Sequence, residues 1–320
     1  MAVRLWKKFN AEVTYYKSNT FNQTFQGSLP ESTGYKSIYL QAGNVENRGW
    51  EASFNYSDKF KNGFAVSSTV TFSKNINEIK EMVSDYHTDL MDDPINIPEI
   101  SKDKGRTILK VGGSIHDIYA TRFFKKDGQG FVSVSTDGKF EMEDGAPVYL
   151  GKVAPKFNMG WNNSISYKGL GLSFLINGRF GGVVTSSTEA ILDRFGVSQR
   201  SADARDNGGA LFPGQGRVNA KAYYQMIGTG DYQTSSYYLY SATNVRLQEL
   251  TLSYTMPNKW FGNILKDVNI SFIANNPWML YCKAPFDPEL TPSTATFGQG
   301  NDYFMQPSVR SFGFGVKFKL

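Results

Sequence analysis

The stretch Phe312-Gly-Phe-Gly-Val-Lys-Phe-Lys-Leu320, at the end of the sequence, decides the fold prediction. Every second residue is large and apolar, and the residues between them are glycine or lysine until the terminal leucine. Successive side chains of a β-strand point to opposite faces, so this stretch has one apolar face and one bare or charged face. When such alternation is repeated along a chain, it predicts a wall with lipid on one side and water on the other.

The same alternation recurs in other segments of the sequence. In the clearest case Trp50, Ala52, Phe54 and Tyr56 alternate with polar residues. Each such segment predicts a strand with one apolar face. The other segments are Ala11–Tyr16, Phe64–Ser73, Phe157–Tyr167, Leu172–Phe180, Glu249–Tyr254 and Val268–Asn275.

Helical periodicity is nearly absent, and the short segment Ile76–Met82 is the only helix candidate. The sequence therefore predicts an all-β fold, and specifically an antiparallel transmembrane β-barrel. A strand pair within Thr107–Val134, broken by Gly112-Gly113 and Asp127-Gly128, brings the predicted number of strands to about ten.

Connections of two lengths alternate along the chain, as they do between the two faces of an outer-membrane barrel. The residues between strand pairs are polar and rich in glycine and aspartate, and compact soluble domains rarely contain so many long loops. The short connections are Asp58–Asn62, Lys168–Gly169 and Pro257–Lys266, and the long ones are Thr24–Val45, Asn77–Arg106, Lys125–Ala154, Gly182–Leu239 and Pro277–Ser308.

Composition narrows the class of protein. No stretch of the 320 residues approaches the ~20 consecutive apolar residues that a membrane-spanning helix needs, which excludes a helical membrane protein. The net charge of +5 comes from 34 basic and 29 acidic residues that are not clustered, which argues against nucleic-acid binding. Aromatic residues make up 15% of the chain, which favours strands and interfacial aromatic girdles.

The residues needed for common catalytic and metal sites are missing from the sequence. A single cysteine, Cys282, excludes an internal disulfide and a cysteine-based zinc site. The two histidines, His87 and His116, lack metal-ligand spacing, and no Gly-x-Ser-x-Gly elbow or phosphate loop occurs. We therefore expect no enzyme activity, no metal and no cofactor.

Four runs of sequence together resemble SusC/RagA-type TonB-dependent transporters of the Gram-negative outer membrane. Asn47-Arg-Gly-Trp-Glu51 resembles the family's Asn-Lys-Gly-x-Glu strand, and Asn244-Val-Arg-Leu-Gln-Glu-Leu-Thr-Leu-Ser-Tyr-Thr-Met-Pro257 resembles its Arg-Leu … Leu-Thr-Leu-x-Tyr-x-Leu-Pro strand. Phe286-Asp287-Pro288-Glu289 resembles its Asp-Pro-Glu loop. Pro307-Ser-Val-Arg310 and the strand after it resemble its C-terminal ending. The resemblance extends over most of the chain.

This resemblance implies that residues 1–320 form the C-terminal section, about the last ten strands, of a larger plugged barrel of probably 22 strands. The first ten residues lack the apolar core of a secretory signal, so we expect the plug domain and the N-terminal strands to be absent from this chain. The family relationship further implies import of oligosaccharides or oligopeptides, a SusD-like surface lipoprotein partner, and energy supplied by TonB through the missing plug. The implied location is the outer membrane, with the wall in contact with the lipid bilayer.

Six of the 18 tyrosines fall between residues 223 and 240. Aromatic faces with hydroxyl tips suit sugars, peptides or a protein partner. A girdle at the external membrane edge is the alternative interpretation, above all for Tyr237–Tyr240. The last long connection contributes further aromatic and acidic candidates. The candidate ligand- or partner-binding residues are Tyr223, Tyr224, Tyr232, Tyr237, Tyr238, Trp278, Tyr281 and Asp287.

We expect the polar residues that alternate with apolar ones along each strand to line the water-filled side of the wall. Phe314 is expected to face lipid, and Lys317 to lie on the opposite face. Two other functions stay open from the sequence: a small self-contained barrel acting as a porin or adhesin, and an outer-membrane hydrolase, against which the scarcity of histidine argues. The predicted lining residues are Glu51, Asn55, Asn162, Arg179 and Glu249.

Overall fold

The computed structural model describes most of the chain, and all statements below concern that part of it. The described residues are 2–6, 8–28, 34–35, 37–41, 43–88, 91–97, 99–102, 107–129, 133, 135, 141–212, 216–228, 237–261, 265–290, 292 and 299–319.

A nine-stranded antiparallel sheet, the wall, dominates the structure, and each of its strands pairs with the next one along the chain. In such an up-and-down order, each connection simply joins the ends of two neighbouring strands. In chain order its strands are β1 (Ala2–Leu5), β2 (Phe9–Phe21), β3 (Asn44–Lys59), β4 (Ala65–Glu81), β5 (Phe157–Tyr167), β6 (Leu170–Phe180), β7 (Asn244–Thr255), β8 (Lys266–Cys282) and β9 (Ser311–Lys319).

The predicted separation of short and long connections is confirmed. Four connections are short and lie at one end of the wall strands, here called the short-connection edge: β1–β2, β3–β4, β5–β6 and β7–β8. The other connections are long and lie at the opposite end of the strands, here called the long-connection edge. Lys168 and Gly169 form the tightest turn, with φ of 47° and 88°. Positive φ at both central residues is the turn geometry that matches the twist of two paired strands.

The nine described wall strands agree with the predicted number of about ten, but the strand pair expected within Thr107–Val134 is not in the wall. Thr107–Lys110 pairs instead with Glu99–Lys102, and Asp117–Phe124 pairs with Met142–Lys152. The wall also contains one strand that the sequence analysis did not predict, the short β1, which pairs with the start of β2. Apolar alternation cannot distinguish a wall strand from a hairpin in a connection, because both bury one face.

The long connections contain most of the remaining structure, in the form of short hairpins and one small mixed sheet. Thr24–Ser28 pairs with Ser37–Gln41, Val83–Thr88 with Met91–Ile97, and Ala210–Phe212 with Gly216–Val218. Val183–Ser186 lies between Leu239–Ser241 and Asn301–Asp302 in a three-stranded sheet.

Helices were nearly missing from the prediction, and this is a second correction. The connection from β6 to β7 contains α1 (Ser187–Arg194), α2 (Gln199–Asp206) and α3 (Ala220–Ile227). Each begins with a side-chain cap, from Ser186, Ser198 and Asn219 respectively. The candidate Ile76–Met82 falls almost entirely within β4 and is not helical. One 3-10 turn spans Asn258–Trp260, and no described helix is long and apolar enough to cross a membrane.

The wall has an apolar face and a polar face, as predicted. The strand register aligns the apolar row Ala11, Phe54, Val70, Trp161, Ile176, Leu247 and Trp278 across seven strands. A row on the polar face, three residues further along the strands, is Thr14, Glu51, Ser73, Asn158, Arg179 and Asn244. Many apolar-face side chains are exposed, as for Phe314 at 83%. A face of this kind on so many strands is typical of lipid contact.

Gly49, in the motif Asn47-Arg-Gly-Trp-Glu51, allows a close contact on the polar face. The ring of Tyr16, its partner across β2 and β3, lies where a Cβ at residue 49 would project. The Tyr16 hydroxyl then reaches Asn75 Oδ1 at 3.1 Å on β4. One aromatic ring therefore covers the glycine and links three strands, which explains the small residue at this point of the motif.

We predict that Phe314→Arg impairs insertion of the wall into a bilayer. A charge on the lipid-facing side of a barrel costs about 2–4 kcal/mol at the midplane and less towards the interfaces. Gly313→Arg is the matched control, since a Cβ at Gly313 meets open space and the residue lies on the polar face. Folding into lipid vesicles, followed by heat-modifiable gel mobility, measures both variants. Equal yields of folded Phe314→Arg and Gly313→Arg would contradict the assignment of faces.

Candidate functional site

A concave pocket of about 680 Å³ lies on the polar face of the wall, towards the edge with the long connections. Strands β2 to β8 and the last long connection form it. Its polar lining consists mainly of carboxylate, guanidinium, amide and hydroxyl groups, which suit a hydrated ligand. The polar lining residues are Glu12, Thr14, Glu51, Ser53, Thr71, Ser73, Asn158, Asn177, Arg179, Arg246, Gln248, Asn276 and Glu289.

Charges of opposite sign lie on different strands of this pocket. Glu12 on β2 and Glu51 on β3 form no ion pair among the described residues. Arg179 on β6 donates from Nη2 to the carbonyl of Val153 at 2.7 Å. Its Nε is buried and has no hydrogen-bond partner in the described part of the chain. Buried polar atoms normally have a partner, so Arg179 retains a donor that a ligand or another part of the protein can use.

Arg246 on β7 fixes the last long connection to the wall. Its Nη1 and Nη2 donate to the two carboxylate oxygens of Asp287 at 3.1 and 2.8 Å. Nη2 also lies 3.3 Å from Glu289 Oε2. The side chains of Arg246 and Asp287 are only 10% and 6% exposed, so this bidentate ion pair is largely shielded from water. The Arg246–Asp287 pair, here called the latch, holds the Phe286-Asp287-Pro288-Glu289 motif against the pocket.

The environment of Asp287 lowers its pKa. Burial acts to raise the pKa, but the hydrogen bond from Arg246 and the backbone amide of Glu289 outweigh it. A carboxylate with a lowered folded-state pKa stabilises the fold above its ordinary pKa, here 3.8. That contribution is lost as the pH falls through the lower folded-state value.

The three helices and the hairpins beside them form a small apolar unit, here called the cap, at the long-connection edge. Its core is distinct from the wall and combines residues from two long connections. Phe124 packs edge-on against Phe212 at 5.4 Å and against Tyr237 at 5.2 Å between ring centroids. The buried members of this core are Phe124, Ala190, Phe212, Ile227 and Tyr238.

Asp193 in α1 is the centre of a buried polar network in the cap. Its carboxylate accepts hydrogen bonds from Ser198 Oγ at 2.5 Å, Arg200 Nε at 2.9 Å and the Tyr238 hydroxyl at 2.9 Å. The Asp193 side chain is 0% exposed, and a buried charge of this kind is tolerated only with such partners. Burial and the neighbouring Asp193 both raise the pKa of Tyr238. Burial and Glu189 raise that of Tyr240 to about 12.

The predicted tyrosine cluster lies mostly in the cap. Tyr238 is 2% exposed. Tyr223 and Tyr224 are half-buried, with ring centroids 5.1 Å apart. Tyr237 is 39% exposed and therefore the most accessible of the four. Tyr232 lies outside the described residues.

The other predicted site residues lie at three different places. Trp278 and Tyr281 align with Leu247 and Val245 on the apolar face and are 56% and 44% exposed. Asp287 is joined to Arg246 as described above. Of the predicted lining residues, Glu51 and Arg179 border the pocket. The structure thus brings Asp287 and these two lining residues near one pocket and leaves the aromatic candidates elsewhere.

Arg246, Asp193 and Arg200 are important residues that the sequence analysis missed. In the sequence Arg246 stands out only as part of a strand motif, although an arginine on the polar face of a strand is a signal for a residue that lines a pocket or fixes a loop. Asp193 and Arg200 belong to α1 and α2, whose helix caps were overlooked. Ser186-Ser-Thr-Glu189 matches a capping box, and Ser186 Oγ does accept from the Glu189 amide at 3.1 Å. The described residues contain no group of three or more potential metal ligands.

Comparisons with known proteins agree with the two-faced wall. No family model matches the chain. TonB-dependent receptor P3 of Formosa agariphila is 25% identical over 330 residues, covering 96% of this chain and 32% of that protein. TonB-dependent receptor SusC of Bacteroides thetaiotaomicron is 23% identical over 277 residues, covering 82% of this chain and 26% of that protein.

A structure of the RagAB peptide importer in its closed-closed state matches the fold, with a TM-score of 0.68 and 18% identity. The match covers 97% of this chain and 33% of that chain. The chain therefore spans about a third of the length of the relatives it matches. The resemblance to SusC/RagA-type TonB-dependent receptors, predicted from the sequence, is confirmed.

We predict that Asp287→Ala releases the last long connection from the wall. It leaves the buried Arg246 guanidinium with only the partly exposed Glu289 carboxylate beside it, and removing one partner of a buried ion pair costs about 3–5 kcal/mol. Glu289→Ala is the control, because Glu289 is 41% exposed and an exposed pair contributes about 1 kcal/mol or less. Hydrogen exchange of the amides around residues 284–290 is the measurement. Acidification below pH 3.8 should release the same amides in the unmodified chain; unchanged protection in Asp287→Ala would contradict the latch.

We also predict that Tyr238→Phe loosens the cap without affecting the wall. The change removes one of three donors to a fully buried carboxylate, which costs about 1–3 kcal/mol. Tyr237→Phe, at a far more exposed ring, is the control. Hydrogen exchange in α1 and α3, compared with exchange in β6 and β7, reports the result. Equal exchange in the two variants would show that the Asp193 network does not stabilise the cap.

Proposed function

We propose that this chain, which resembles SusC/RagA-type TonB-dependent receptors along nearly its whole length, forms a section of the barrel wall of an outer-membrane nutrient importer. The observation that carries the proposal is the nine-stranded wall with an apolar face on one side and a polar pocket on the other. A sheet in hydrocarbon must hydrogen-bond every backbone group, and a barrel achieves this by closing. Strands β1 and β9 do not pair with each other among the described residues. We therefore propose that further strands of a larger barrel complete the wall.

The two faces and the long-connection edge have different roles in this proposal. The apolar face contacts the outer membrane, and the polar face lines the passage for the nutrient. The cap and the Arg246–Asp287 latch shape the entrance on the external side. The chain is the C-terminal section of the importer, as the motifs around Asn244–Pro257 and Pro307–Arg310 indicate.

The partners follow from the family resemblance. We propose that a SusD-like surface lipoprotein captures the nutrient above the long connections, and that TonB supplies energy through a plug that another section of the protein provides. The nutrient is an oligosaccharide or an oligopeptide. The RagAB structure that matches this fold is a peptide importer, and SusC is a relative in sequence. The chain itself is not proposed to be an enzyme.

The size of the native polypeptide is the first test. The chain has a mass of 35.8 kDa and spans 32% of receptor P3, so a complete importer of that proportion has a mass of about 110 kDa. An antibody against β9 should detect a band of that size in an outer-membrane fraction of the source bacterium. A band at the mass of the chain alone, with no co-purifying wall or plug polypeptide, would contradict the proposal and favour a self-contained barrel.

Uptake gives the second arm of the same test. We expect the complete importer to take up a labelled oligosaccharide or oligopeptide in a TonB-dependent manner, and Arg179→Ala to reduce that uptake, because Arg179 lines the pocket and retains a buried unpaired donor. Lys221→Ala, at an exposed position in α3, is the control. Uptake that persists without TonB would contradict the proposal.

A further inference from the structure

The short-connection edge of the wall carries a concentration of positive charge. Seven described lysines lie in or next to the four short connections and the end of β9, and all of them are exposed. Only two described carboxylates, Asp58 and Asp267, lie among them. These lysines, here called the basic rim, are Lys8, Lys59, Lys61, Lys168, Lys259, Lys266 and Lys319.

Ion pairs within the protein occupy only two members of the basic rim. Lys8 Nζ lies 2.6 Å from Asp58 Oδ2, and Lys319 Nζ lies 2.6 Å from Asp267 Oδ2. These pairs join neighbouring elements at the edge of the sheet. The other five lysines form no ion pair within the described part of the chain. Their charges are therefore not needed to hold the turns together, and they remain available to an external anion.

Aromatic side chains accompany the lysines in every short connection. Trp6 is 79% exposed, Phe60 43%, Tyr167 40% and Trp260 60%. Lys168 Nζ lies 5.1 Å from the centroid of the Tyr167 ring. Rings of this kind prefer the boundary between hydrocarbon and water, where an apolar body and a wet edge are both satisfied. The aromatic residues thus mark the depth at which the basic rim lies.

The apolar face ends at the same edge. Leu170, Tyr254, Ile270 and Val316 form an aligned row of that face, and Leu170 directly follows the Lys168–Gly169 turn. Successive residues of a strand advance about 3.4 Å, so the lysines lie within a few residues of the last apolar row. If the apolar face contacts hydrocarbon, as the proposed function requires, the basic rim lies at the level of the lipid headgroups.

We propose that the basic rim binds the anionic phospholipid headgroups of the leaflet on the short-connection side. Ammonium groups are compact point charges that bind phosphate readily. Several of them on one edge attract a negatively charged lipid surface additively and in a salt-dependent way. Because the lysines come from four separate turns, the contact fixes the height of the wall in the membrane at several points. The inference rests on the proposed membrane location and concerns a surface to which the proposed function assigns no residue.

The experiment compares lipids bound to the complete importer that contains this chain, in neutral detergent, counted by native mass spectrometry with phosphatidylglycerol and phosphatidylcholine as probes. The test variant is Lys59→Gln, Lys61→Gln and Lys259→Gln combined, which removes three unpaired charges from two turns. The matched control is Lys126→Gln, Lys221→Gln and Lys283→Gln combined. These three lysines are also exposed and lie in the long connections at the opposite edge.

We expect the unmodified chain and the control to prefer phosphatidylglycerol, and the test variant to lose at least about tenfold of that preference. Each lysine near an anionic surface is worth roughly a fivefold gain in binding. The preference should weaken as salt rises, and more so in the unmodified chain than in the test variant. An unchanged preference in the test variant, or an equal loss in the control, would overturn the inference.

A separate readout distinguishes this inference from the proposed function. Recovery of the complete importer, with this chain unmodified, in folded form from lipid vesicles tests whether the wall belongs in a membrane at all. If the importer folds into vesicles but shows no preference for phosphatidylglycerol, only the basic rim inference fails. If the importer does not enter vesicles of any composition, the proposed membrane location fails.

Discussion

The backbone hydrogen bond between neighbouring wall strands is the interaction on which the rest of this structure depends. A strand in hydrocarbon has no water to satisfy its amide and carbonyl groups, so each must find a partner in the next strand. That requirement keeps strands paired over lengths of up to 17 residues, as in β4 and β8. Regularity in turn fixes the strict alternation of side chains, and the alternation separates an apolar face from a polar pocket. Membrane contact and the passage for a ligand are two results of one pairing rule.

Deviations from regular pairing occur where the structure needs a different geometry. The register between β6 and β7 shifts next to Ile176, and Gln248 is the additional residue in β7. Gln248 then accepts a hydrogen bond from Asn177 on the polar face. A second shift follows between β7 and β8 close to the same place. These bulges lie beside Arg246, and bulges are a common way to aim a side chain near a functional region.

The wall could be predicted from the sequence because its rule is local and repeats every two residues. Trp50 to Ser57 and Phe312 to Lys319 each show it without reference to any other part of the chain. The cap could not be predicted in this way, since its helices are only eight residues long and depend on packing with distant segments. Tyr238 shows the limit: the sequence contains a tyrosine cluster between residues 223 and 240, but the burial of Tyr238 depends on Phe124 and Asp193, which lie far away in the chain. The strand pair within Thr107–Val134 was assigned to the wall wrongly for a related reason, since alternation in Asp117–Phe124 does not reveal which strand will be its partner.

The composition of the cap core has a consequence for the order of folding. Phe124 comes from the connection between β4 and β5, while Ala190, Phe212, Ile227 and Tyr238 come from the connection between β6 and β7. We expect these two segments to come together after the strands between them have paired, because β5 and β6 position the ends of both connections. Contacts between residues so distant in sequence are slow to form and carry a large entropic cost until the chain between them is ordered. We therefore expect the cap to assemble late, so that a formed cap would report that the central strands of the wall are already in register.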